Sequence, residues 1–369
     1  MQSQIRVLQI TNCIKHGSGV SEVIMNYYRR IDSACVLFDF MVNEPVDEDL
    51  HKEIEGRGSK IYLMPALTMK NTFNYKNELE RFFKEHHREY NVVHGHTPNA
   101  AAYYMPIAKK YGVPVRIIHS HNSQGADSTI KKIRNRMMSK VAIANITDRF
   151  ACSKYAAEYL YGNDDVFILN NAIDIDSYKL DITKRQEIRA EFEIDDDAIV
   201  VGHIGRMVEQ KNHSFIVDIA EHARIMGLNV KLLLLGDGPL RTELERKIRD
   251  KSLDEQFVLT GVVSNPRDYY NAMDAFILPS IYEGLPVVGV EAQAAGLPTA
   301  VSNRVTPETL MADNITALPI NDAAIWADWI KNNAGAREDN RDALARNGYD
   351  ISIEAGKLLE KYKELLNRR

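Results

Sequence analysis

Short β-branched, apolar runs alternate with longer helical windows along this chain, and that rhythm constrains the fold more than any single motif. In the first half the runs fall at 5–11, 34–40, 60–63, 92–95, 115–119, 149–151 and 166–169. Helical windows separate them at 21–31, 77–89, 99–111 and 130–145. Strands spaced by whole helices cannot close as hairpins, so they predict βαβ units and parallel sheet. The rhythm then restarts. Runs at 198–204, 230–235, 257–259, 275–278 and 299–301 enclose helical windows at 212–226, 241–251 and 286–295. A length of 369 residues suits about two domains. The expected fold class is therefore α/β, with two doubly wound Rossmann-like domains. Asn170–Tyr178, reading NNAIDIDSY, breaks both periods. Boundaries are predicted at 1–175 and 176–350, with 351–369 a terminal helix that packs back toward the first domain.

Charge excludes some functions. The net charge is −5, whereas a dedicated nucleic-acid binder is normally basic. Three cysteines, Cys13, Cys35 and Cys152, are too few and too scattered for a disulfide framework or a C-x-x-C metal site. The N-terminus lacks the pattern of a secretory signal, and no run is long enough to span a bilayer. The expected location is cytoplasmic. The charge is uneven: residues 1–175 carry +3 and residues 176–369 carry −8, while eight of the eleven histidines fall in the first part.

In parallel sheets ligands sit at the carboxyl ends of strands, so residues that follow each run matter most. After the first run comes Gly17-Ser18-Gly19, which can offer backbone N–H groups to a phosphate or serve as an ordinary turn. It is not a dinucleotide fingerprint, because Glu22 stands where glycine is required. His94-Gly95-His96 and His119-Ser120-His121 each place two imidazoles on one face of a strand. No carboxylate or cysteine adjoins either pair, and two pairs would overfill one metal site, so no metal is expected. His121, at the strand's end, is the better ligand contact. A basic helix follows, in which Ile130, Ile133, Met137, Met138 and Val141 share helical spacing. Lys131, Lys132, Arg136 and Lys140 are assigned to its other side. No acid lies between Asp127 and Asp148. That face is either a solvated surface or a patch for an anionic membrane or a phosphorylated acceptor.

The second half carries sharper signals. Gly205-Arg206 ends one run, and Lys211-Asn212 opens the next helix. Two cations at one strand-to-helix junction suit a diphosphate, Arg206 by bidentate hydrogen bonds and Lys211 as a point charge. Further on stands Pro279-Ser280-Ile281-Tyr282-Glu283-Gly284-Leu285-Pro286-Val287, with Glu291 eight positions after Glu283. Gly284 to Val287 is expected to open a helix whose free N–H groups favour an anion. A carboxylate at this place can accept hydrogen bonds from vicinal hydroxyls. Asp174-Ile175-Asp176 has the D-x-D form of some metal sites, but its place at the domain joint favours a structural part.

The pairing of G-R-x-x-x-x-K-N with P-S-x-x-E-G-L-P-x-x-x-x-E-A-x-A-x-G-x-P resembles the family-four retaining glycosyltransferases of the GT-B fold. The resemblance spans nearly the whole chain, and H-S-H-N further resembles bacterial exopolysaccharide and capsule enzymes. It implies two domains facing across a cleft, and transfer of a hexosyl or N-acetylhexosaminyl group from a nucleotide-sugar, with UDP the commonest nucleotide. Arg206 and Lys211 would hold the donor diphosphate, Glu291 the ribose and Glu283 the sugar hydroxyls. His121 would lie near the anomeric centre. Gly17, Ser18 and Gly19 would close over the phosphates, and the backbone at Gly261 and Val262 would meet the base. The acceptor would be a glycan or lipid-linked saccharide at the inner face of the membrane, and neither metal nor other cofactor is implied. Two departures stand out: Gly-Ser-Gly replaces Gly-Gly in the first loop, and Ser302–Glu308 lacks the Gly-Gly that often precedes a late glutamate. A UDP-sugar 2-epimerase shares the architecture, and a non-catalytic subunit that binds a glycosyl carrier is the alternative of another class.

Overall fold

The computed structural model describes residues 4–68, 70–121, 129–162 and 165–368, with side chains from 133 onward in the helix that starts at Thr129. Two compact units result. One comprises Met1–Asn171 with Ile351–Arg369, and the other Ala172–Asp350.

In the first unit, elements follow one another as β1 (Ile5–Ile10), α1 (Gly19–Arg30), β2 (Val36–Val42), α2 (Glu48–Gly56), β3 (Ile61–Leu63), α3 (Thr72–His86), β4 (Val92–Gly95) and α4 (Pro98–Lys110). Then come β5 (Val115–Ser120), α5 (Thr129–Ile143), β6 (Asp148–Ala151), α6 (Lys154–Tyr161) and β7 (Phe167–Ile168). Among the described residues the sheet runs β3-β2-β1-β4-β5-β6-β7, parallel throughout. Every residue of β2 is buried, as expected of a strand covered on both faces. Tyr75, Leu79, Phe83 and Tyr104 fill one face of this core.

The second unit runs α7 (Ile182–Glu191), β8 (Ile199–Ile204), α8 (His213–Ile225), β9 (Val230–Leu235), α9 (Arg241–Asp250), β10 (Phe257–Gly261), α10 (Pro266–Ala272) and β11 (Ala275–Leu278). It continues through α11 (Val287–Ala294), β12 (Thr299–Ser302), β13 (Ile315–Leu318), α12 (Ala323–Asn333) and α13 (Arg341–Arg346). The last helix, α14 (Ile351–Asn367), belongs to the first unit, where it packs on α1. The second sheet runs β10-β9-β8-β11-β12-β13, again parallel among the described residues. Trp326 of α12 is fully buried and donates its indole N–H to Pro319 O at 2.7 Å. Asp274 closes the other side, accepting from Arg185 and Arg189 at 2.6 Å each and from the Val200 N–H at 2.8 Å.

Both sheets reverse strand order once, between β1 and β4 and between β8 and β11. Loops leaving the two central strands part in opposite directions there and open a crevice, which is where such sheets bind ligands.

Candidate active site

In the second unit, the loop after β8 meets the loop after β11. The Ile281 N–H donates to Gln210 O at 2.8 Å, and Asn212 Nδ2 donates to Pro279 O at 3.1 Å. Asn212 takes a left-handed conformation, φ +55°, where asparagine is tolerated. These bonds fix two side chains that the sequence had placed separately. Lys211 Nζ donates to Glu283 Oε1 at 2.5 Å, with 17% and 9% of the two side chains exposed. Ser280 Oγ donates to the same oxygen at 2.9 Å, and Gln210 Nε2 reaches Oε2 at 3.2 Å. The expected pair of cations is therefore divided. Lys211 is already matched to a carboxylate, whereas the exposed Arg206 side chain makes no ion pair among the described residues.

Glycine permits this crowding. A Cβ on Gly236 would lie 2.2 Å from Gly205 O, and a Cβ on Gly205 would press on Lys211 Cδ at 3.2 Å. Behind Lys211 stands buried His213. Burial first, and then the Lys211 ammonium, hold its pKa down at about 4, so it stays neutral. Gly261 adopts φ +73° and accepts from the Gly236 N–H, while Val262 is 60% exposed at the next position.

One helix start is corrected. Gly284, Leu285 and Pro286 are loop, and α11 begins at Val287 with Pro286 as its cap. Pro286 has φ −72° and ψ 117°, so its backbone is extended and it precedes the first helical residue. Pro286 O takes the Gly289 and Val290 N–H groups, leaving the terminus to offer donors at Val287 and Val288 rather than at Gly284. Glu291, 7% exposed, lies on this helix and accepts from Tyr270 Oη at 2.8 Å. Burial and the adjacent Glu291 carboxylate raise the Tyr270 phenol well above its ordinary value, so it remains a donor. Asp176 pairs with Arg341 at 2.9 Å and Lys179 at 3.1 Å. Gln210, Ser280 and Tyr270 escaped the sequence reading. The first two lie inside the quoted motifs, but Tyr270 sits in another helix with no local signal.

In the first unit, a cavity of about 600 Å³ opens beside the reversal of strand order. Thr11, Asn43, Thr68, Thr72, Asn99 and Tyr103 line it with neutral polar groups, and Arg134, Ser18, His96 and His121 share its wall. Gly17 has φ +72°, and α1 begins at Gly19 with no side-chain cap from Ser18. The two H-x-H segments meet here. The rings of His94 and His96 stack at 4.7 Å with 15° between planes, and those of His119 and His121 lie 4.1 Å apart. Ring nitrogens of His94, His96 and His119 approach within 4.8 Å. The three ring planes are inclined to one another by 15°, 32° and 45°. Burial is the main cause of the neutrality of all four. His94, His96 and His119 are held well below the ordinary pKa, and His121 is lowered to about 4.

The basic helix differs from its expected form. Ile133, Met137 and Val141, assigned to the buried side, are 58%, 66% and 48% exposed. Exposed Arg136 and Lys140 lie on the same face, because at 3.6 residues per turn all five fall within roughly 140° of arc. Half-buried Met138 and exposed Arg134 instead meet the cavity. The side chains of Lys131 and Lys132, together with Asp127, lie outside the described residues.

The family model described as glycosyl transferases group 1 matches residues 184–350, and that of glycosyltransferase family 4 matches residues 17–177. The chain is 32% identical to the putative glycosyltransferase EpsF of Bacillus subtilis, over 98% of this chain and 97% of that protein. It is 26% identical to the Escherichia coli UDP-Gal:alpha-D-GlcNAc-diphosphoundecaprenol alpha-1,3-galactosyltransferase, over 58% of each chain. Anabaena HepE in complex with UDP-glucose has the same fold, with a TM-score of 0.80 at 16% identity over 98% of this chain and 100% of that one. With a family 4 region, a group 1 region and two open parallel sheets in this order, the chain belongs to the glycosyltransferases of the GT-B fold.

Proposed function

We propose that this glycosyltransferase moves a sugar from a UDP-sugar to a lipid-linked saccharide in the synthesis of a bacterial surface polysaccharide, with retention at the anomeric carbon. The observation that carries the reading is the meeting of the β8 and β11 loops, which joins Lys211 to Glu283 beside exposed Arg206. The UDP and UDP-glucose bound by HepE, and the UDP-Gal and diphosphoundecaprenol in the name of the E. coli relative, support the choice of donor and acceptor.

In this reading Arg206 and the α11 terminus take the leaving diphosphate, and Glu291 takes the ribose. The sugar exchanges one of the present donors on Glu283, the 3.2 Å contact from Gln210 being the longest. The acceptor hydroxyl oxygen bonds to the anomeric carbon as the carbon–phosphate-oxygen bond breaks. The electron pair and the hydroxyl proton go to the departing phosphate. Preorganised donors stabilise that charge by about 3 kcal/mol each, and no divalent ion is needed. The cavity of the first unit, lined by neutral polar groups together with Glu44 and Arg134, takes the saccharide acceptor. The mixed apolar and basic face of α5 meets the anionic membrane that carries it, as interfacial helices do.

The test is nucleotide release over a panel of UDP-sugars, with and without a lipid-diphosphate saccharide and with EDTA. Release that depends on the acceptor and survives EDTA, giving a product of unchanged anomeric configuration, is expected. An epimerised UDP-sugar and no glycosylated product would defeat the reading, and loss of activity restored only by manganese or magnesium would defeat its metal-free part.

A further inference from the structure

Three buried or half-buried groups lead to the cavity of the first unit. Gln9 Oε1 lies 2.8 Å from His96 Nε2, and His96 Nδ1 lies 2.8 Å from His121 Nε2. We propose that Gln9 acts through His96 to hold His121 in the tautomer protonated at Nε2. Nδ1 is then the nitrogen with which this cavity-lining residue accepts a hydrogen bond.

The direction of every bond follows from one amide. Gln9 turns its carbonyl oxygen, which can only accept, toward His96 Nε2 at 2.8 Å. His96 must supply a proton from Nε2 to the Gln9 carbonyl. A neutral imidazole has one donor and one acceptor, so His96 Nδ1 is a lone pair. Only His121 Nε2 can place a proton in the 2.8 Å gap between the two rings. Burial keeps the rings neutral, so the chain does not collapse into a pair of double donors.

The consequence is selectivity. An unprotonated Nδ1 accepts from a hydroxyl and repels a phosphate oxygen, so His121 meets a neutral hydroxyl of the ligand. That this hydroxyl belongs to a sugar rests on the transferase reading above; the tautomer does not. Gln9 and His96 are positioning residues.

Long-range proton–nitrogen NMR of protein labelled at histidine reads the tautomer directly. In the wild type His121 is expected as the Nε2–H form. Gln9→Met should shift the tautomer ratio of His121 by about fivefold, the value of one ordinary hydrogen bond. Gln9→Glu, whose carboxylate still accepts from His96, should keep the wild-type form. Transfer from a UDP-sugar should fall about fivefold in Gln9→Met while affinity for UDP is unchanged. An Nδ1–H form in the wild type, which a reversed Gln9 amide would produce, overturns the proposal, as does an unchanged tautomer in Gln9→Met. A shifted tautomer with undiminished transfer upholds the relay and removes the sugar hydroxyl from Nδ1.

Discussion

Lys211 and Glu283 are matched at 2.5 Å in a setting where little water reaches either. Removing one partner strands the other, which costs about 3 kcal/mol, whereas replacing both with apolar groups is far milder. Lys211→Met should therefore destabilise the second unit by about that amount, and Lys211→Met with Glu283→Leu should recover most of it, read by hydrogen exchange in β8 and β11. Neither variant should transfer sugar. A double variant as unstable as the single one would mean that the pair is not coupled as the geometry states. Tyr270 gives a second test at this scale. Its hydroxyl donates to Glu291 at 2.8 Å and has a longer contact, 3.3 Å, to Val288 O on the same helix, so Tyr270→Phe removes one charge-assisted bond together with that contact. Such bonds contribute about 1.5–3 kcal/mol, so calorimetry should show UDP binding weakened about tenfold or more. Glu283→Ala should leave UDP affinity near the wild type while transfer is lost, and equal losses of UDP affinity in the two variants would contradict the division between ribose and sugar.

At the scale of elements, the sequence was most legible where burial on both faces leaves little choice. The runs at 92–95 and 275–278 coincide with β4 and β11, since only an unbroken apolar run suits a strand covered on both sides. Pro286 was visible too, but its consequence was misjudged by three positions, because a helix that starts after proline leaves the preceding glycine in the loop. Helix α5 misled for a different reason. Periodicity identifies an apolar stripe but not what covers it, and Ile133, Met137 and Val141 face outward beside Arg136 and Lys140. That arrangement sharpens the membrane proposal. Basic residues alone contribute about 1 kcal/mol each near an anionic surface and fade with salt, whereas inserted apolar side chains do not. Replacing Ile133, Met137 and Val141 with Ser should abolish co-sedimentation with anionic liposomes at high salt. Arg136→Gln with Lys140→Gln should weaken it only at low salt. Equal binding by wild type and both variants would leave α5 a solvated helix. No helix among the described residues is long and apolar enough to cross a bilayer.

Across the whole molecule, the repeated sheet was legible, but the convergence of distant residues was not. Nothing local in H-G-H and H-S-H tells that His94, His96, His119 and His121 form one stack, because β4 and β5 become neighbours only through the parallel register that pairs His94 with Ile117. The same topology brings His203 and His213 together at 4.7 Å in the second unit. All six rings have pKa values below the ordinary 6.5, chiefly through burial, with His121 and His213 at about 4. The unfolded chain therefore takes up these protons at a higher pH than the folded chain does. Stability from the neutral rings is complete above about pH 6.5 and is lost as the pH falls toward 4. Each ring removes about 1.4 kcal/mol per pH unit in that interval, before other groups are counted. Hydrogen exchange at pH 7.5 and 5.5 should show protection in β4 and β5 falling more than in β2, which carries no histidine. His119→Phe keeps a ring of similar shape in the buried stack and deletes one titrating group. It should remove about 1.4 kcal/mol per pH unit from that slope, whatever it does to stability at pH 7.5. A slope as steep in His119→Phe as in the wild type would show that the acid sensitivity arises elsewhere than in the stack.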